Sequence, residues 1–300
     1  MSNELLIFGG SASDVLAIDI ARKIGLAVSK LEIKRFPDGE RYLRIQQDVS
    51  GQCVAVIQST SHHPDEYLFE YLLIADSMKD LGAKKVIAVF PYLAYARQDE
   101  RFNPGEAITI ETVAKLIESV GTNEFYTVDA HLHRISDISR IFTIPAYNLS
   151  AVPLLVEYIS TNIELDNSVV IGPDEESEQW AAAAARILRA DFDVLEKKRI
   201  NAEKVEIRTR RLSVKNRDVI VVDDIISTGG TMVETIEVLR REGARKIVVG
   251  CIHPILAGNA LARLYDSGAD VVLGTDSIPS PVSRVSCAPV IAFALRNVKE

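Results

Sequence analysis

Val219–Met232 reads VIVVDDIISTGGTM, and the fold turns on this stretch. Val219-Ile220-Val221-Val222 is a run of apolar, mostly β-branched residues, the signature of a buried strand. With Asp218 it predicts a strand over Asp218–Val222, closed by the pair Asp223-Asp224. Then come the small residues Ser227-Thr228-Gly229-Gly230-Thr231 and a helical period over Thr231–Glu242 that stops at Gly243. Ligands of open α/β sheets sit outside the carboxyl ends of strands. Small residues there let backbone N–H groups approach a phosphate, and the following helix N-terminus adds a favourable field. Two carboxylates can accept hydrogen bonds from neighbouring sugar hydroxyls, directly or through a cation. A strand–turn–helix capped by Ser and Thr would account for the STGGT run alone. It would not account for two adjacent, mutually repelling carboxylates. The stretch therefore predicts a cradle for a phosphorylated sugar, built from Asp223, Asp224, Ser227, Thr228, Gly229, Gly230 and Thr231.

The same rhythm extends both ways along the chain. Apolar runs at Leu5–Phe8, Cys53–Gln58, Lys85–Phe90, Glu124–Val128, Ser168–Gly172, Lys246–Cys251 and Asp270–Gly274 predict further parallel strands. Amphipathic stretches lie between them. Leu68, Tyr71, Leu72, Ala75, Met78 and Leu81 recur at helical spacing, and Gly82 follows as a C-cap. Gly9-Gly10-Ser11 is a tight turn, with Ser13 or Asp14 capping the next helix. The fold class is α/β, with two similar domains, each a largely parallel sheet flanked by helices. The rhythm fades at Thr143–Pro153 and again at Glu196–Arg217. Residues 1–145 then form a first domain and 146–285 a second, with 286–300 packing back on the first.

A chain of 300 residues accommodates two such domains. A net charge of −8 argues against a general nucleic-acid or anionic-membrane binder. No apolar run approaches the ~18 residues of a membrane span. The N-terminal residues lack a basic segment followed by an apolar one of signal length. Cys53, Cys251 and Cys287 are scattered in apolar runs with no CxxC pair, as buried thiols in a reducing cytoplasm would be.

The cradle resembles the phosphoribosyl-pyrophosphate motif of type I phosphoribosyltransferases and of ribose-phosphate pyrophosphokinases. Four more segments resemble the second family, in order. They are Phe36-Pro37-Asp38-Gly39-Glu40-Arg41, Val56-Ile57-Gln58-Ser59-Thr60, Pro91–Asp99 with its Tyr95-Ala96-Arg97-Gln98-Asp99 run, and Thr127-Val128-Asp129-Ala130-His131. The resemblance spans nearly the whole chain and is closest to archaeal members. It implies a type I phosphoribosyltransferase-like fold and transfer of the β,γ-pyrophosphoryl group of MgATP to ribose 5-phosphate. It also implies that Arg97, Gln98 and Asp99 contact ATP. Phe36, Asp38 and Glu40 contact the adenine from a neighbouring subunit, which requires at least a homodimer. His131 and Asp174 help place Mg²⁺, and the cradle holds ribose 5-phosphate. The residues agree: Arg97 can fork onto phosphate oxygens and Gln98 can read an adenine edge. No Gly-x-x-x-x-Gly-Lys-Ser/Thr motif occurs, so a triphosphate must be held by other means. His133 receives no role.

Glu196–Arg217 carries nine basic residues against three acidic ones. Leu195-Glu196-Lys197-Lys198-Arg199 resembles the family's mobile catalytic loop, which implies catalytic roles for Lys197 and Arg199. Two departures stand out. Asp174 is followed by Glu175, Glu176 and Glu178, which repel a polyphosphate unless bridged by Mg²⁺ or turned outward. Ser227 stands where synthases commonly carry an acid. A phosphoribosyltransferase, or a non-catalytic regulatory subunit that kept the cradle, are the competing readings.

Overall fold

A computed structural model describes residues 5–101, 103–132, 135, 137–199, 205–209 and 212–298, with the side chains at 197–199 and 205–208 outside that description. The chain divides into two units, Met1–Ser150 with Cys287–Glu300, and Ala151–Ser286.

The first unit runs β1 (Leu5–Gly9), α1 (Asp14–Ile24), β2 (Leu31–Arg35), β3 (Arg41–Ile45), β4 (Cys53–Ile57), α2 (Pro64–Asp80), β5 (Lys85–Phe90), α3 (Thr109–Ser119), β6 (Glu124–Val128) and β7 (Ala146–Leu149). Five strands form a parallel sheet in the order β1-β4-β5-β6-β7. Every residue of β4 is buried, as a central strand covered on both faces requires. The expected boundary at 145 moves to Ser150 because β7 pairs with β6, Ala146 opposite Phe125. β2 and β3 form a separate antiparallel hairpin that carries the Phe36–Glu40 loop at its tip. Ser13 stands at the α1 N-cap without capping it; its Oγ instead accepts the Ser59 N–H at 2.8 Å.

The second unit runs α4 (Val152–Asn162), β8 (Val169–Gly172), α5 (Glu178–Leu188), β9 (Asp191–Arg199), β10 (Val205–Thr209), β11 (Asp218–Ile226), α6 (Gly230–Arg241), β12 (Lys246–Pro254), α7 (Ala260–Asp266), β13 (Val271–Thr275) and β14 (Ser283–Val285). Its sheet has the order β10-β9-β8-β11-β12-β13-β14, parallel except for β10. From β8 the chain moves outward to β9, and from β11 it moves the other way to β12. The strand order therefore reverses between β8 and β11, and such a reversal opens a crevice at the carboxyl ends of the two strands.

β11 does not stop at Val222 but continues through Asp223 and Asp224 to Ile226, because β12 runs beside it as far as Pro254. On its other side the β8 pairing ends at Val221, so the paired Asp residues project past the shorter strand. The basic stretch from Glu196 begins as strand. β9 pairs with β8 over Asp191–Val194, and Leu195–Arg199 then pair with β10.

The chain returns to the first unit as α8 (Ala288–Arg296), where Arg296 donates to the Lys23 carbonyl at the end of α1. Cys53, Cys251 and Cys287 are all buried, and none is in a disulfide. Among the described residues no helix is long and apolar enough to cross a membrane.

Candidate functional site

The crevice between β8 and β11 collects the acidic residues. Asp224 is buried and Asp223 half-buried. Burial pushes the Asp223 carboxyl well above its ordinary range, and the nearby carboxylates of Asp224 and Asp174 add to the shift. Asp174 comes from the turn after β8 and reaches this neighbourhood only because β8 and β11 are adjacent. Its carboxylate accepts the Ser177 N–H at 3.0 Å, while Ser177 Oγ donates to the Asp174 carbonyl at 2.7 Å. Gly172 makes that tight turn possible, since a Cβ there would lie 2.5 Å from Ser177 Oγ. Glu175 and Glu176 face solvent, and Glu178 opens α5, where an acid is favourable. The glutamates therefore need not crowd a polyphosphate at Asp174.

After β11 the cradle turns at Gly229, whose φ of +78° is costly for any other residue. The loop is braced from β12's far end: Leu256 N–H donates to the Ile226 carbonyl at 2.9 Å and Ala257 N–H to the Ser227 carbonyl at 3.0 Å. Sequence reading missed this brace, which depends on the strand pairing of β11 with β12. No side-chain hydrogen bond caps α6 among the described residues, which leaves its first-turn N–H groups for an anion. Ser227 and Gly230 are partly exposed; Thr228 and Thr231 are exposed.

In the first unit the carboxyl end of β4 is densely polar, with Gln58, Ser59, Thr60 and Ser61 all buried. Thr60 Oγ1 donates to the Tyr92 carbonyl and accepts the Ala94 N–H, both at 2.8 Å. This pins the segment after β5. Tyr95 takes a φ of +69°, uncommon for a non-glycine. It is held by its hydroxyl on Asp65 and by Thr109 Oγ1 on its carbonyl. The turn leaves Arg97 exposed and Gln98 half-exposed, while Asp99 is nearly buried. Phe36, Asp38 and Glu40 occupy the exposed tip between β2 and β3, closed by the Phe36 N–H on the Glu40 carbonyl at 2.8 Å. His131 is half-buried just beyond β6. His133 lies outside the described residues, as do the side chains of Lys197 and Arg199.

No group of three or more His, Cys, Asp or Glu among the described residues is arranged to hold a metal unaided. The donor chemistry nevertheless fits Mg²⁺. A crowded set of carboxylate oxygens suits a hard cation that keeps waters and takes its other ligands from phosphates.

A switch-point crevice with an acidic strand end and an uncapped helix N-terminus defines an α/β protein laid out to take an anionic ligand at its strand ends. Comparison with known proteins narrows this. Residues 5–121 match the N-terminal domain of ribose phosphate pyrophosphokinase, and residues 137–285 match the phosphoribosyl transferase domain. The ribose-phosphate pyrophosphokinase of Methanothermobacter thermautotrophicus is 42% identical over 97% of this chain and 100% of its own length. That of Ralstonia nicotianae is 34% identical over 99% of this chain and 96% of its own. The crystal structure of phosphoribosylpyrophosphate synthetase from Mycobacterium smegmatis superposes with a TM-score of 0.88 at 29% identity, covering 98% of each chain. The chain belongs to the ribose-phosphate pyrophosphokinase family, and is a transferase of that class.

Proposed function

We propose that the chain transfers the β,γ-pyrophosphoryl group of MgATP to the 1-hydroxyl of ribose 5-phosphate, with the following division of labour. The Ser227–Thr231 loop and the α6 N-terminus hold the 5-phosphate. Asp223 and Asp224 accept hydrogen bonds from the ribose hydroxyls. Arg97, Gln98 and Asp99 hold ATP, Arg97 by a fork onto phosphate oxygens. The sugar hydroxyl attacks the β-phosphorus, and AMP leaves with the former bridging oxygen. Negative charge spreads over the transferred group, and Lys197 and Arg199 meet it with positive charge. Bound Mg²⁺ supplies further neutralisation of phosphate oxygens, with His131 and Asp174 as the residues that help place it.

The observation that carries this reading is the reversal of strand order between β8 and β11, with Asp174, Asp223 and Asp224 gathered there and α6 left uncapped. Incubation with MgATP labelled in its β-phosphate and ribose 5-phosphate is expected to give AMP and a labelled phosphoribosyl pyrophosphate. A phosphoribosyltransferase would instead consume that product with a base and form no AMP. A regulatory subunit would bind ribose 5-phosphate without turnover.

The ATP site is shared between subunits of a homo-oligomer, with Phe36, Asp38 and Glu40 reaching the neighbour's adenine. The support is the hairpin tip, where Phe36 is 48% exposed beside two exposed carboxylates. Mixing and reassembling Phe36→Ala with Arg97→Ala subunits tests this. A shared site in a dimer is expected to restore up to about a quarter of wild-type activity, since one of two sites in each hybrid escapes both changes. No recovery over either parent means each subunit serves its own nucleotide. The buried thiols support a reducing cytoplasmic setting, which cell fractionation would check.

A further inference from the structure

The hairpin of β2 and β3 shares no ladder with the five-stranded sheet, so something else must fix its tip. Its root is held by apolar contact, with Leu31, Ile33, Leu43 and Ile45 packed on the core. Its tip is held by charge. Arg35 and Arg41, opposite each other in register, both reach α2. Arg35 pairs with Glu66 at 2.5 Å on the surface, where such pairs contribute little. Arg41 pairs with Glu70, which is fully buried.

A buried carboxylate must be hydrogen-bonded and compensated. Glu70 Oε1 accepts the Ser11 N–H at 2.8 Å, Ser11 Oγ at 2.7 Å and Gln58 Nε2 at 2.8 Å. Gln58 Oε1 in turn accepts the Ala12 N–H at 3.2 Å. Glu70 thus joins the turn after β1, the carboxyl end of β4 and the hairpin tip, and Arg41 is the cation paired with it. Arg41 follows Glu40 directly, so the pair fixes where the Phe36–Glu40 loop leaves the body of the unit.

We propose that Glu70 and Arg41 are positioning residues for the Phe36–Glu40 loop, so that ATP recognition by the tip depends on a buried ion pair at its base. This rests on the assignment of that loop to the nucleotide made above. Neither residue touches substrate; both act through the loop.

A kinetic cycle on the full-length enzyme tests this. Arg41→Ala is expected to raise the KM for ATP about tenfold, with kcat and the KM for ribose 5-phosphate within about threefold. Adding Phe36→Ala to it should then cost less than about twofold more than Phe36→Ala alone, because residues that act through one another are non-additive. Should Arg41→Ala fail to fold, Arg41→Lys keeps the charge opposite Glu70, and Glu70→Gln keeps its shape. Each is expected to show the same ATP-selective rise, smaller for the lysine. Multiplicative effects, or equal rises in both KM values, mean a structural role only and overturn the proposal. If Phe36→Ala raises the KM for ATP while the Arg41 and Glu70 variants match wild type, positioning alone is wrong. If Phe36→Ala itself leaves that KM unchanged, the loop is not a nucleotide contact, and both readings fall.

Discussion

Replacing Lys197 by alanine is expected to lower kcat by about 10²–10³-fold while leaving both substrate KM values within about threefold, the loss that follows removal of one well-placed transition-state charge. The residue's place follows from the strand that carries it. β9 pairs in parallel with β8 only as far as Val194 opposite Gly172, where β8 ends. Its next residues run on in the same direction, beyond the carboxyl end of β8, with β10 alongside. Position 197 therefore lies about 10 Å past the last β8 pairing, on the side of the sheet where Asp174 and the cradle sit. Pyrophosphoryl transfer asks little covalent chemistry of a protein. It asks for positive charge where the transferred oxygens gather negative charge, and for exclusion of water that would hydrolyse ATP. A lysine that served ground-state binding would show the opposite split, with KM raised and kcat intact. Steady-state kinetics with each substrate varied decides between them. Arg199→Lys adds a second reading, since it keeps the charge and removes the planar fork.

The parts of the fold legible in the sequence were those governed by burial on both faces. Lys85–Phe90 and Glu124–Val128 are strands over the residues their apolar runs mark. The Phe36–Glu40 loop reads at most as a polar hairpin, and its strands go unmarked because LEIKR and RYLRI are half-covered and charged, so neither gives a continuous apolar run. β9 and β10 are obscured for a related reason: β10 is the edge strand of its sheet, and beyond Val194 β9 has β10 but no longer β8 beside it, so basic residues are tolerated in both and no apolar run marks them. On α2 the apolar stripe placed Leu81 inward, yet it is 50% exposed, while Glu70 is fully buried. A glutamate on a helix reads as solvated unless its partners are known, and those of Glu70 come from residues 11, 41 and 58. The site shows the same divide. Asp223 and Asp224 stood out because a strand end gains nothing from two carboxylates. That Asp174 would join them required knowing that β8 lies beside β11.

That gathering of acids gives the second large effect. Asp223→Asn is expected to lower activity about 10²-fold or more, by weakening the hold on the ribose hydroxyls and on any cation there, and yet to stabilise the ligand-free protein. Burial, Asp224 and Asp174 raise the Asp223 carboxyl above its ordinary 3.8. The sign follows from linkage. Below pH 3.8 the group is protonated folded or unfolded and costs nothing. As pH rises, the unfolded chain releases its proton first, so the folded state loses relative stability until its own, higher pKa is passed. The wild type therefore carries more of that loss the further pH rises above 3.8, and the asparagine variant carries none. A gain of about 1 kcal/mol at pH 7 is the ordinary size for a stabilising substitution. Thermal melts of the two proteins should therefore converge toward pH 4 and separate toward pH 7. Mg²⁺ with ribose 5-phosphate should reverse the order, because ligands that bind only the folded state raise the melting temperature of the protein that binds them better. Equal melting curves across this range would mean that Asp223 is not held against its neighbours' charge. A variant more stable but fully active would mean that the paired carboxylates do not serve the sugar. The two readouts are expected to move in opposite directions, because the repulsion that destabilises the ligand-free crevice is the same field that would favour hydroxyl donors and cations there.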